Sequence, residues 1–242
     1  MSLTSIIKPL VPSRLRRLRW QIDQTRRYAA WLAEGGEPEA LLLPTLCDPR
    51  RVSIDVGANL GGYTWLLHRF SRRVIAFEPN PVLAARLATI SRLTLRWSVS
   101  VRNVALSTQS GTTALRVPLD EYGRGTIEVA NRLDGRPART VEVRTRALDD
   151  YQGLDIGFMK IDVEGHELAV LQGAARYLRT SRPNLLIEAT NEHRQDAVAS
   201  IVTLLDAYGY SGSFLHEGAW LDARIFDPAR HTAVDFVFHP RA

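Results

Sequence analysis

The run Val52-Ser53-Ile54-Asp55-Val56-Gly57-Ala58-Asn59-Leu60-Gly61-Gly62-Tyr63-Thr64-Trp65-Leu66-Leu67 constrains the fold more than any other stretch of the chain. Val52, Ile54 and Val56 are β-branched, as suits a parallel strand covered on both faces, and three glycines follow where such a strand would end. Glycine there permits positive φ and lets bare backbone N–H groups approach a ligand. The run therefore predicts a buried strand, a tight turn and the opening of a helix.

The spacing within the turn separates two kinds of ligand. A dinucleotide-binding turn would read Gly-x-Gly-x-x-Gly and offer its helix N-terminus to a pyrophosphate. Here Asn59 holds the middle position and Asp55 precedes the first glycine, a pattern that favours a cationic ligand without phosphate. S-adenosylmethionine meets that description, since its α-amino group and sulfonium are positive and its carboxylate can accept from the turn's N–H groups. Phe77-Glu78-Pro79 closes the next apolar run, 74–77, and Glu78 lies 23 residues after Asp55. In a βαβ unit, an acid about 20 residues on sits at the tip of the second strand and accepts hydrogen bonds from ribose hydroxyls.

A chain of 242 residues with 45% apolar content suits one large α/β domain with a short appendage. No stretch reaches the apolar length needed to cross a bilayer and the N-terminus has no signal-peptide segment, so the expectation is a cytosolic protein. The single cysteine, Cys47, excludes an internal disulfide and a cysteine-based zinc site. The net charge of +5 is one-sided: Lys8, Arg14, Arg16, Arg17, Arg19, Arg26 and Arg27 face only Asp23 within the first 27 residues, leaving the body close to neutral. A nucleic-acid enzyme spreads basic and aromatic residues around its cleft, and nothing after residue 50 does so; no nucleic-acid partner is expected.

In chain order, residues 1–46 read as an N-terminal basic amphipathic helical segment and 47–242 as the catalytic domain. After a lead with Pro9 and Pro12, Leu15, Leu18, Ile22, Ala29 and Leu32 follow helical spacing to about residue 34, with Trp20, Tyr28 and Trp31 alongside. This helix is expected to pack on the domain with its arginines solvated. The sharper readings for residues 1–34 are peripheral attachment to an anionic inner membrane face or a homodimer contact. Gly35-Gly36-Glu37-Pro38 ends it, and 38–46 makes a second short helix. Helices are expected over 63–70 and 81–90 and strands over 74–77 and 99–106. Hairpin strands follow over 113–117 and 140–145, with a polar loop over 120–139 that suits either a substrate-facing loop or a plain surface hairpin. Strand 156–161, a helix to about 179, strand 184–189, a helix to about 209 and strands 210–215 and 234–238 complete about seven strands, mostly parallel, with a late antiparallel pair.

Asp55-Val56-Gly57-Ala58-Asn59-Leu60-Gly61-Gly62-Tyr63-Thr64, Phe77-Glu78-Pro79, Asn103-Val104-Ala105-Leu106-Ser107 and Lys160-Ile161-Asp162-Val163-Glu164-Gly165-His166-Glu167 together resemble the FkbM family of S-adenosylmethionine-dependent methyltransferases. Leu148-Asp149-Asp150 and Leu171-Gln172-Gly173-Ala174 add to the resemblance, which covers roughly residues 50–190. It implies the class I methyltransferase (Rossmann-like) fold: a seven-stranded, mostly parallel α/β sheet with helices on both faces. It also implies O-methylation of a sugar, glycan, polyketide or similar small-molecule hydroxyl. By the same resemblance Asp55, Gly57, Asn59 and Gly61 shape the methionine end of the cofactor site, Glu78 binds the ribose, and Asn103 and Ala105 lie near the adenine. Gly62 departs from the family, which often carries a larger residue there, and this predicts a looser helix entry.

Methyl transfer is an in-line displacement, so a base is needed near the strand tips to take a proton from a poor nucleophile. Asp162, Glu164, His166 and Glu188 fall at the C-terminal ends of adjacent parallel strands. Asp162 is the expected base or acceptor-orienting carboxylate, with Glu164 and Glu188 assisting. In the bland alternative Glu164 caps the next helix and Glu167 occupies its first turn, while His166 and His193 are structural. No metal site is assigned, and a magnesium ion on these acids is the lesser expectation. Two other functions compete: a methyltransferase-like scaffold recruited through its basic helix, and an NAD-dependent oxidoreductase.

Overall fold

The computed structural model describes residues 13–93, 98–120, 124–193 and 195–242. The lead with Lys8, Pro9 and Pro12, loop residues 121–123, and the side chains of Arg14, Leu15 and Arg17 lie outside the described residues.

The β-branched run forms strand β1 (Val52–Val56), buried at all five positions because it lies between two parallel neighbours with both faces covered. Those neighbours are β2 (Arg73–Phe77) and, across a long crossover, β7 (Ile156–Ile161). Strand β3 (Val99–Arg102) continues beyond β2, and β8 (Asn184–Glu188) beyond β7, all parallel. The last strand, β11 (Asp235–Pro240), inserts antiparallel between β8 and β9 (Tyr210–His216). The order β10-β9-β11-β8-β7-β1-β2-β3 contains the expected seven-stranded sheet and one strand more. The eighth, β10 (Ala219–Asp222), pairs back on β9 through Glu217 and Gly218, both at positive φ, the twist a two-residue hairpin turn requires.

Two sequence expectations break at identifiable side chains. The run 99–106 is not one strand: the Asn103 amide donates to the carbonyls of Glu78 and Pro79 at 2.9 and 2.8 Å, and the chain leaves the sheet there. Beyond it, β4 (Ala105–Leu106) joins β5 (Gly111–Pro118) and β6 (Ala138–Arg146) in a separate three-stranded sheet. The helix expected to run to residue 179 is also split. A Cβ on Gly173 would stand 2.0 Å from the Ser107 carbonyl oxygen, so the chain bends where the two sheets meet.

Helices cover both faces. On one lie α1 (Ser13–Ala33), a 3-10 turn (Pro38–Leu42), the single turn α2 (Leu43–Leu46), α3 (Gly62–Leu67) and α4 (Pro81–Leu93). On the other lie α5 (Glu167–Gln172), α6 (Ala175–Thr180) and α7 (Ala197–Ala207). Asp149 accepts from the Arg176 N–H at 2.8 Å and closes the start of α6, and its own N–H donates to the Gly173 carbonyl at 2.9 Å, which joins two of the family-like pieces. Helix α1 packs on the domain as expected: Ala29 and Leu32, with Leu43 and Leu46, share a core with Tyr63, Leu67, Phe158 and Val237. Thr25 donates to the Leu60 carbonyl at 2.8 Å. Helix entry at Gly62 is not loose, because the Tyr28 ring occupies the space of its missing Cβ.

Candidate active site

The site is built at the carboxyl edge of the parallel strands, where β1 and β2 end. Gly57 sits at φ +84°, and a Cβ on it would stand 1.8 Å from the Asp162 carbonyl oxygen, so both conformation and close approach require glycine. Asn59, at φ +48°, turns its N–H onto Glu78 Oε2 at 2.7 Å. The Asn80 N–H binds the other carboxyl oxygen at 2.8 Å. Two backbone donors thus aim the Glu78 carboxylate along the rim of the turn. A cavity of about 200 Å³ opens there, with Leu83, Val104 and Ala105 on its apolar side and Asp162, Glu164 and His166 at its far end.

The predicted cofactor residues divide between lining and support. Gly57, Asn59, Glu78 and Ala105 line the cavity. Gly61 starts α3 at φ +84°, where a Cβ would meet Leu87 at 2.4 Å. Asn103 anchors the Glu78–Pro79 carbonyls. Asp55 lies beneath the turn, 1% exposed: Thr64 donates to its Oδ2, while its Oδ1 has no hydrogen-bond partner among the described residues.

Of the predicted catalytic acids, Asp162 and Glu164 line the cavity and Glu188 does not. Glu188 ends β8 opposite Asp235 of β11, beside a buried charge cluster. Lys160 is at its centre, 4% exposed, with its ammonium 2.6 Å from Asp162 Oδ2 and 4.8 Å from the Tyr63 ring centroid. Burial opposes that charge, but Asp162, Glu188 and Asp55 outweigh it and hold Lys160 above the usual ammonium range. Burial pushes Glu188 up to about 8, with Asp162 adding repulsion, and pushes Asp235 up to about 7, with Glu39 adding to it.

Of the two roles in the bland reading, Glu167 does occupy the first turn of α5, whereas Glu164 does not cap that helix. Glu167 Oε1 accepts from the Gly165 and Val163 N–H groups and ties the turn before α5. Glu164, at φ +54°, instead pairs with His193 at 3.2 Å. Burial pushes Glu167 and Glu78 each up to about 7.

The polar loop, open to two readings from its sequence, closes the cavity. Arg124, Gly125 and Ile127 line it. Thr126 Oγ1 and Asn131 Nδ2 both donate to the Glu164 carbonyl at 2.8 Å. Ser107 Oγ lies 2.9 Å from His166 Nε2, and Glu128 Oε2 lies 3.4 Å from His166 Nδ1. His166 is thus held from both ring nitrogens at the cavity wall; its place after β7 was readable, but its partners Ser107 and Glu128 carried no sequence signal. Lys160 was readable in principle, since a lysine inside an apolar strand implies a buried partner.

These engagements also bear on the metal. Asp162, Glu164 and His166 are held by Lys160, His193, and Ser107 with Glu128. Among the described residues no three His, Cys, Asp or Glu side chains converge as a metal-ligand set.

The raised carboxyls predict an unusual pH profile. Glu78, Glu167, Asp235 and Glu188 bind their protons more tightly folded than unfolded, so the stability they contribute is present at low pH. It is lost as pH rises from about 4.5 towards 7 and 8. Stability is expected to drop between pH 5 and pH 8 by about 1 kcal/mol or more, since each tenfold gain in proton affinity on folding is worth about 1.4 kcal/mol. Thermal unfolding of the ligand-free protein at both pH values checks this, and a midpoint that climbs with pH would contradict it.

The parallel sheet with one antiparallel strand inserted near its end, carrying its cleft at the strand tips beside a glycine turn, is the Rossmann-like fold of class I methyltransferases. Residues 55–211 match the family model described as Methyltransferase FkbM domain, and the chain belongs to that family. An FkbM methyltransferase from Methylobacillus flagellatus is similar, at 20% identity and TM-score 0.54 over 90% of this chain. The alignment covers 55% of that protein, so this chain spans little more than half its length. A precorrin-6y C5,15-methyltransferase from Geobacter metallireducens is similar at 14% identity and TM-score 0.48, over 84% of this chain and 87% of that one. At 20% identity the likeness to the Methylobacillus flagellatus protein is one of fold. No curated protein matches the sequence.

Proposed function

We propose that this protein transfers a methyl group from S-adenosylmethionine to a hydroxyl of a sugar, glycan or other small molecule. The observation that carries the cofactor reading is the Glu78 carboxylate, held by the N–H groups of Asn59 and Asn80 at the rim of the glycine turn. When bound, the cofactor supplies an electrophilic methyl carbon on a sulfonium. Glu78 accepts from the ribose hydroxyls, Gly57 and Asn59 bring backbone to the methionine end, and Ala105 with Leu83 and Val104 forms an apolar slot for the adenine. Asp55 stabilises the turn from beneath.

On this reading Asp162 orients the acceptor hydroxyl or takes its proton, because it lines the cavity with its Oδ2 fixed 2.6 Å from the Lys160 ammonium. Glu164 and the more distant Glu188 assist through the same charge cluster. An O-methyl acceptor fits the chemistry of these side chains, because carboxylates at the cavity wall accept from hydroxyls.

Calorimetric titration with S-adenosylhomocysteine and, separately, NAD tests the proposal. S-adenosylhomocysteine is expected to bind and NAD not to. Because Glu78 accepts from ribose best when ionised, affinity is expected to tighten from pH 6 to pH 8 through its value of about 7, by up to tenfold per pH unit. The Glu78→Gln variant should lack that slope. No binding of S-adenosylhomocysteine by the intact protein would sink the proposal and favour the scaffold reading, in which the basic helix recruits a partner.

A further inference from the structure

We infer that the outer face of α1 is a docking surface for an anionic lipid bilayer. The helix spends its inner face on the domain, through Thr25, Ala29 and Leu32. Helical spacing then places Arg16, Trp20, Arg27 and Trp31 in one stripe, within about 60° of arc, on the opposite side. Trp20 is 57% exposed and Trp31 47%, and both arginines are exposed.

These tryptophans are held in place. Trp31 stacks on Tyr28 with centroids 5.7 Å apart and covers Gly36, and Trp20 lies under the Arg86 guanidinium at 5.8 Å. Large apolar rings fixed outward among cations match a membrane interface, where indole sits at headgroup level and guanidinium meets lipid phosphate.

Charge complementarity selects the occupant. Residues 13–33 carry six arginines against Asp23, a net charge equal to the +5 of the entire chain, so the positive field leaves from this one helix. Each basic residue near an anionic leaflet contributes about 1 kcal/mol. A single convex helix face about 30 Å long suits a flat charged surface and lacks the groove with stacking platforms that nucleic-acid strands require. Because Thr25 on the inner face binds the Leu60 carbonyl beside the glycine turn, a molecule docked through α1 holds that turn one helix diameter, roughly 10 Å, from the bilayer.

Co-sedimentation of the full chain with vesicles tests this inference, independently of any methyl donor. Vesicles of phosphatidylcholine with 30% phosphatidylglycerol, about the charge of an anionic leaflet, are expected to bind at least tenfold better than phosphatidylcholine alone. Raising the salt to about 0.5 M should release the protein. Arg16→Glu/Arg27→Glu and, separately, Trp20→Ala/Trp31→Ala are each expected to cut binding at least tenfold while thermal unfolding stays cooperative. The arginine pair keeps the test valid if loss of Trp31 disturbs the fold. Equal binding to both vesicle types, or undiminished binding by the arginine variant, would overturn the inference. A homodimer in sedimentation analysis that the tryptophan variant dissociates would overturn it too, and assign the face to a second copy.

Discussion

With Lys160 replaced by methionine, the protein is expected to lose about 3–5 kcal/mol of stability at pH 8 and less at pH 5. Methionine matches the aliphatic stem, so packing in β7 is largely kept and the change isolates the charge. Asp162 then loses an ion pair of 2.6 Å, and Asp55, Glu188 and Asp235 lose the cation that offsets their burial. Removing one partner of a buried pair costs more than the pair contributes, because the remaining charges stay desolvated. The folded pKa values of Asp55, Glu188 and Asp235 must rise further, and an acid with a raised folded pKa is penalised when ionised. The loss is therefore full above that pKa and fades as pH falls through it. Denaturant unfolding at both pH values measures the effect. An equal loss at pH 5 and pH 8 would mean that lost packing, and not charge, is responsible.

Glu78→Ala is expected to weaken S-adenosylhomocysteine binding by about 10- to 100-fold, the equivalent of one hydrogen bond to a charged group at roughly 1.5–3 kcal/mol. Two effects act together. The carboxylate that would receive the ribose hydroxyls is gone, and the Asn59 and Asn80 N–H groups lose the acceptor that holds the turn. Calorimetry on the variant decides it, with thermal unfolding as a control for the turn. Unchanged affinity in a folded variant would remove Glu78 from the cofactor site.

Not all of this architecture was open to sequence reasoning, and the division follows the range of the forces involved. The strand, turn and helix opening at 52–67 could be read directly, because positive φ at Gly57 and Gly61 and two-sided burial of β1 are demands made by neighbouring residues on one another. Glu78 was readable at one step further, since a βαβ unit of ordinary length carries an acid at that spacing to the tip of β2. The break at Asn103 was not, because the carbonyls its amide binds belong to a turn 24 and 25 residues earlier. The bend at Gly173 was hidden for the same reason: the atom that forbids a side chain there is the carbonyl of Ser107.

The candidate site shows the same limit more sharply. Asp162 and Glu164 were placed by their position after β7, yet their state depends on Lys160 and His193, and that of Glu188 on Asp235 of the inserted strand. His166 looked structural in the sequence. The loop carrying Glu128 and the strand end carrying Ser107 fold against it from opposite directions. Likewise the spacing in α1 defined an amphipathic helix, but only its seating on α3 showed which arginines and tryptophans remain outside.

By itself, then, the sequence determined most of the strands and helices of the main sheet, the glycine turn and the acid at the tip of β2, because local backbone geometry and hydrophobic periodicity act over a few tens of residues. Tertiary structure alone decided which carboxylates share Lys160, how the polar loop closes the cavity and what α1 presents to solvent. Those outcomes depend on contacts between distant segments, such as Thr25 with Leu60, Thr126 with Glu164 and Asp55 with Lys160, whose energies exist only once the sheet has brought them together.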